Sequence, residues 1–180
     1  METVSRTTSI EYQSLVGRTV EAVYQDAGYW HLFVALRCID GQTIIFNTAD
    51  VGIAKYFEVF PIKIGFEPTE QRAWESLHKP RRVVAVSPLY REEWLEPTDP
   101  HPEHIGSGPH YAHNAGQGPA PAQALHHVTV QAGFKLHCEV ASPIVVFASN
   151  SAPFNVEVAI HSSEIERALS AFNPTEAQPL

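Results

Sequence analysis

Gly17 to Trp30 reads G-R-T-V-E-A-V-Y-Q-D-A-G-Y-W, and Pro80 to Trp94 reads P-R-R-V-V-A-V-S-P-L-Y-R-E-E-W. Val20, Ala22 and Val23 match Val83, Ala85 and Val86 at an offset of 63, and Trp30 matches Trp94 at 64. Further along, Leu36-Arg37-Cys38 matches Leu136-His137-Cys138 at an offset of 100. Ile45-Phe46 then aligns with Val146-Phe147, Glu58-Val59 with Glu157-Val158, and Arg72-Ala73-Trp74 with Arg167-Ala168-Leu169. Any single match of this kind arises by chance in a β-rich chain. The preserved order of the whole series predicts an internal duplication.

The local signals follow the same order in both copies. In the first, Thr19–Gln25 and Tyr29–Cys38 are rich in β-branched and aromatic residues and read as strands. Asp40-Gly41 signals a two-residue hairpin of type I′, which needs positive φ at both central positions. Thr43–Asn47 is a third strand. Tyr56–Ile64 is a fourth, with Phe57, Val59 and Ile62 on one face and Pro61 at an edge or bulge. Thr69–His78 is expected to form a short helix. In the second copy Arg82–Ser87, His127–Val140, Ile144–Ser149 and Phe154–Ile160 read as strands. Ser163-x-x-Glu166 then has the pattern of a capping box, and Ile165, Ala168, Leu169 and Phe172 share one helical face. The expected fold class is α+β, a pseudo-symmetric single domain over residues 1–180 with mainly antiparallel sheet. It consists of two ββββα units, at about 17–79 and about 80–173, led by a turn or helix near Ser9–Val16.

The copies differ chiefly after Trp94. Trp30 lies 6 residues before Leu36, whereas Trp94 lies 42 before Leu136, so a stretch at about 95–125 is inserted in the second copy. Leu95 to Ala124 holds six Pro and four Gly, and a loop of this length in a compact domain usually carries function or disorder. Glu92, Glu93, Glu96, Asp99 and Glu103 form an acidic run at its start. Six of the ten histidines, His101, His104, His110, His113, His126 and His127, fall within 27 residues. His101, His104, His110 and His113 make two H-x-x-H units, and imidazole suits Zn, Ni or Cu. Helical zinc motifs space their ligands at i and i+4, however, and Pro102 disfavours helix at His101. A solvated His-rich loop is therefore the ordinary expectation, and no metal or other cofactor is predicted. Protonation of all ten histidines below neutral pH would carry the net charge from −8 towards +2 and weaken the loop's attraction for a cationic partner.

Composition removes several function classes. With 12 Lys+Arg against 20 Asp+Glu the chain is acidic, which argues against a nucleic-acid binder that neutralises phosphates. A hydrophobic fraction of 44% excludes a mostly disordered chain. Met1 to Ser14 is polar, without the apolar core of roughly 7–15 residues that a signal peptide needs. No run approaches the roughly 20 apolar residues of a membrane span. Two cysteines are too few for a disulfide scaffold. The expectation is a soluble, cytoplasmic protein with no membrane association. A disulfide between Cys38 and Cys138 is conceivable across a symmetry axis, but two buried free thiols are the ordinary reading.

Catalytic signatures are absent: no G-x-S-x-G, phosphate-binding loop, dinucleotide fingerprint or H-E-x-x-H occurs. Cys138 adjoins His137, but strand alternation sends neighbours to opposite faces and precludes a direct dyad. His31 and His161 are lone histidines at element ends. No catalytic residue is assigned, and binding is favoured over catalysis. An acidic surface steers cationic partners, and Trp94 beside Glu92 and Glu93 has the makings of an aromatic hot spot rimmed by carboxylates. Its match to Trp30 argues instead for core packing. The predicted role is a non-catalytic acidic binding module using Glu92, Glu93, Trp94, Glu96, Asp99 and Glu103 against another, basic protein. The alternative is a metal-dependent enzyme using histidines of the 101–127 region. In size, acidity and lack of catalytic motifs the chain resembles, in type only, the immunity proteins that block basic nuclease or pore-forming toxins. No motif carries membership of a family. Oligomeric state is not legible.

Overall fold

The computed structural model describes residues 2–26, 31–54, 57–68, 70–95, 126–149, 154–170 and 172 of the 180. In chain order the elements are β1 (Glu2–Val4), α1 (Ser9–Gln13), β2 (Thr19–Gln25), β3 (Phe33–Cys38), β4 (Gln42–Thr48) and β5 (Val51–Ala54). They continue with β6 (Phe57–Val59), β7 (Ile62–Pro68), β8 (Glu75–Leu95), β9 (His126–Cys138), β10 (Ile144–Ala148), β11 (Val156–Ala159) and α2 (Ser162–Leu169). The protein is mostly antiparallel sheet with few helices, so the α+β class fits it only roughly. One open sheet runs β11-β10-β9-β8-β2-β3-β4-β7, and β1 adds to β9 in parallel. β5 and β6 form a separate hairpin.

The strand pairings repeat in detail. Val20 faces Cys38 and Val83 faces Cys138; each pair then slips by one residue, at Glu21 and at Val84, before Val23 meets Leu36 and Val86 meets Leu136. A bulge of this kind leaves one residue unpaired and bends its strand. The next strands keep step as well, with Leu36 opposite Ile44 and Leu136 opposite Ile144. The Ile39 N–H donates to the Thr19 carbonyl at 3.0 Å, and the Glu139 N–H to the Arg82 carbonyl at 2.9 Å. Between the two sets Thr19 faces Arg82, and the Val83 N–H donates to the Arg18 carbonyl at 2.8 Å.

The core is continuous across both sets. Leu36, Ile44, Phe46, Phe134, Leu136 and Ile144 are fully buried, and the Phe46 and Phe134 rings lie 6.0 Å apart. Burial of each such side chain stabilises the fold by about 1.5–3 kcal/mol. The edge strand β11 is drawn over the ends of β2, β3 and β4. The Val156 N–H donates to the His31 carbonyl at 2.6 Å, and the Val158 N–H to Gln25 Oε1 at 3.2 Å. α2 packs on β10 and β11 through Ile165 and Ala168, and Phe172 beyond it meets Phe147 edge-on at 6.2 Å.

β8 has 21 residues and two prolines, and both are placed where a missing N–H is tolerated. Pro80 falls where the β2–β8 register jumps from Val20/Arg81 to Ala22/Ser76. Pro88 lies beyond the last β2 pairing, where β8 is bonded to β9 alone.

Several sequence expectations are corrected. Thr69 lies outside the described residues, but residues 70–74 take no regular secondary structure and Glu75–His78 belong to β8, so among the described residues no helix closes the first unit. The chain turns tightly here, with the Trp74 N–H donating to the Arg72 carbonyl at 2.9 Å, and both Arg72 and Trp74 reach Tyr24. The Arg72 guanidinium lies 5.7 Å from the Tyr24 ring and 5.0 Å from that of Phe33, and the Trp74 ring lies 6.1 Å from Tyr24. Tertiary packing outweighs the weak helical preference. The fourth strand is interrupted at Phe60-Pro61, giving β6 and β7, and β5 was not foreseen. At the first hairpin only Gly41 has positive φ, +79°, so a type I turn followed by a left-handed glycine replaces the type I′ turn. α2 begins two residues earlier than the capping-box pattern implies. His161 is its N-cap without a side-chain bond, while Arg81 fixes the entering chain through the Ile160 carbonyl at 3.1 Å. The capping box that does form joins Thr8 and Glu11 at α1.

Candidate functional site

Beyond Leu89 the β8–β9 ribbon leaves the main core, and strict alternation sorts its residues onto two faces. Arg91 and Glu93 of β8 stand opposite Val130 and Val128 of β9. The two valines join Val4 and Val59 in a small apolar cluster, flanked by Val51 and Ile53 of β5. Arg91 donates from Nη2 and Nε to Glu93 Oε1 at 2.7 and 3.0 Å, and from Nη1 to the Ala148 carbonyl at 3.0 Å. This face is apolar and internally neutralised.

The other face is polar. Tyr90 stands opposite Gln131, Glu92 opposite Thr129, and Trp94 opposite His127. The Trp94 indole and His127 imidazole are stacked, with centroids 4.0 Å apart and planes inclined by 2°. Glu92 Oε2 lies 3.3 Å from His127 Nε2. That nitrogen nevertheless makes no well-directed hydrogen bond, so the contact is an ion-pair geometry rather than a bond. Thr129 Oγ1 and Gln131 Nε2 are likewise buried without a hydrogen-bond partner. Gln131 is 1% exposed, and its Oε1 meets Ser5 Oγ. Three successive polar side chains on one strand face thus carry unsatisfied atoms, an arrangement natural proteins rarely leave without a reason.

No protein-family model matches this chain, and no match is found among curated proteins or among solved structures. The site therefore rests on its own geometry.

The structure divides the predicted partner-binding residues. Trp94 is 62% exposed, which overturns the expectation of core packing drawn from its match to Trp30. Glu92 is open beside it. Glu93 points to the opposite face and is held by Arg91, with its side chain 16% exposed, so it does not belong to the same surface. Glu96, Asp99, Glu103, His101, His104, His110 and His113 lie outside the described residues, as does the insertion at 95–125 beyond the paired Leu95 and His126. Among the described residues no group of three His, Cys, Asp or Glu could hold a metal ion. Thr129 and Gln131 escaped the sequence reading. Their signal was the alternation His127-Val-Thr129-Val-Gln131, which puts polar groups on one face and valines on the other.

Other reactive groups are shielded. Cys38 and Cys138 are both free thiols. Burial pushes the Cys38 thiol up to about 11 and raises that of Cys138. Ser87 Oγ lies 3.0 Å from His137 Nε2 across the ribbon, but Ser87 is 7% exposed and offers a substrate no access. A cleft of about 320 Å³ between β2, β11 and the start of α2 is lined by Gln25, Glu75, His161 and Glu164, among others. Gln25 is committed there to Val158 and to His31 Nδ1, at 3.2 and 2.9 Å. Among the described residues no helix is long and apolar enough to cross a membrane.

Proposed function

We propose that the protein is a non-catalytic binding module that engages a basic protein through the polar face of the outer β8–β9 ribbon. Neutralisation of a basic toxin or enzyme, in the manner of an immunity protein, is the role this reading implies. The carrying observation is Trp94, an indole left open to solvent yet held against His127 at 4.0 Å. An exposed aromatic normally loses rotamer freedom on binding, and one already stacked loses less. A chain of net charge −8 supplies the long-range attraction, and the acidic run of Glu96, Asp99 and Glu103 follows directly in sequence.

We propose in addition that the frame arose by duplication of a four-stranded unit, with the stretch at about 95–125 inserted in the second copy. The shared registers Val20/Cys38 and Val83/Cys138, each followed by the same one-residue slip, support that reading. The insertion then springs from the strand pair that bears Trp94.

The direct experiment co-expresses the chain with the protein encoded beside it and challenges a set of basic nucleases with the purified chain. A stable complex or inhibition is expected, weakened about thirtyfold or more by Trp94→Ala, as for interface hot spots. Its association rate should fall as salt rises. A complex indifferent to both Trp94→Ala and salt would falsify the reading. The metal-dependent alternative built on His101, His104, His110 and His113 would regain ground only if a stoichiometric metal survived dialysis.

A further inference from the structure

Building on the protein-binding reading above, we infer that the polar face of the ribbon takes an extended, arginine-bearing segment of the partner. The guanidinium lies on the free side of the Trp94 ring and bonds to Glu92, while peptide groups of the same segment meet Thr129 and Gln131.

The cationic end follows from Trp94 and Glu92. His127 covers one side of the indole, and the residue's 62% exposure leaves the other side open. The Glu92 carboxylate is 43% exposed, and its contact in the structure is His127 at 3.3 Å. Arg91, the nearest arginine in sequence, is turned to the opposite face by alternation and bound to Glu93 and the Ala148 carbonyl. An open aromatic plane beside an exposed carboxylate recognises a flat cation better than a compact one. Guanidinium stacks on the ring and forks onto both carboxylate oxygens, whereas an ammonium does neither well.

The extended segment follows from Thr129 and Gln131. Gln131 is almost wholly buried, and whichever way its amide is turned, one polar atom meets Ser5 and the other has no partner. Thr129 Oγ1 repeats the deficit two residues earlier, and His127 Nε2 two residues before that. Alternate side chains on a strand recur every ~6.6–6.8 Å, and so do like-directed carbonyls on any other extended chain. A segment anchored at Trp94 and running towards Gln131 therefore presents acceptors at the same interval as the unsatisfied groups. Exposure falls along that path from Trp94 to Gln131, so the segment has to displace the cover over Gln131, of which Ser5 is one part. The unpaired amide favours that opening, because a partnered buried polar group is far better than an orphaned one.

The test titrates the full chain, ¹⁵N-labelled, with the blocked pentapeptide Gly-Gly-Arg-Gly-Gly and with its lysine and citrulline counterparts. The Trp94 indole N–H and the Gln131 side-chain amide are the reporters. Both signals should move saturably, with the arginine peptide about fivefold tighter than lysine and about tenfold tighter than uncharged citrulline. Glu92→Gln should weaken the arginine peptide about tenfold. Gln131→Leu should weaken it about fivefold while Trp94 still responds, because the amide contact alone is lost. Equal binding of arginine and lysine peptides, both abolished by Trp94→Ala, overturns guanidinium recognition and leaves the protein-binding reading standing. Free arginine amide binding as tightly as the peptide, with Gln131 unmoved, overturns the extended segment. A neutral oligosaccharide moving these signals where no peptide does would overturn both and make the face a glycan site. Silence towards all three peptides overturns the inference, and the Trp94→Ala complex then judges the protein-binding reading separately.

Discussion

The β2–β3 and β8–β9 ribbons start alike and end differently. Both begin from a valine opposite a cysteine, slip at the next residue, and place a leucine at the same depth in the core. β2–β3 then stops after the Gln25/Val34 pair and is covered by Arg72 and Trp74. β8–β9 continues to Leu95/His126 and carries Trp94 into solvent. The shared inner halves are constrained by a common core in which every atom has neighbours. The outer half of the second ribbon is released from that constraint, and it is there that polar groups without partners accumulate.

The largest test of this comparison lies in the core. Leu36→Ala and Leu136→Ala should each lower stability by about 2–5 kcal/mol, and by similar amounts, since each leaves a cavity at the same register position. Urea unfolding of the two variants measures this, and a difference beyond about 2 kcal/mol would break the equivalence. Next comes Gly133, which occupies the position that Phe33 holds in the first set. A Cβ there would meet the Val146 carbonyl oxygen at 2.8 Å and Phe147 Cβ at 3.1 Å. Gly133→Ala should therefore destabilise by about 1–3 kcal/mol, because backbone has to move.

The two hairpin turns should respond with opposite signs. Gly41→Ala, at φ +79°, should cost about 1 kcal/mol, whereas Val140→Gly, at φ 53° and fully exposed, should gain about the same. Thermal unfolding separates them. The matched thiols give a pH test. Cys38 rises from an ordinary 9.0 to about 11, so the native state holds its proton more tightly than the unfolded chain. Its contribution to stability is full below pH 9 and is lost as pH climbs towards about 11. Native Cys38 should accordingly react with iodoacetamide far more slowly at pH 8 than the unfolded chain, and mass spectrometry of labelled peptides would show it. The smallest expected effect on stability belongs to Trp94→Ala, within about 0.5 kcal/mol, since its ring is largely in water. A large loss there would mean that Trp94 serves the fold rather than a partner.

Much of the strand frame was legible. β2 was read to its exact ends, β3, β4, β10 and β11 to within a few residues, and Ile165, Ala168 and Phe172 were identified as buried positions. These elements are short, apolar and periodic, so local pattern and final environment agree. Residues 70–78 were misread because Arg72 and Trp74 answer to Tyr24 and Phe33, far away in sequence. The site was half legible. The acidic run includes Glu92 of the candidate face, but the run of charges in sequence concealed that Glu92 and Glu93 face opposite ways.

By itself, the sequence determined the strand-rich frame, the acidic balance and the matched series of residues, because hydrophobic periodicity and turn chemistry are local properties. The tertiary structure alone decided that Trp94 is open, that Glu93 is neutralised by Arg91, and that Thr129 and Gln131 lack partners. Exposure and hydrogen-bond satisfaction depend on what the rest of the chain brings alongside, and no local pattern encodes that.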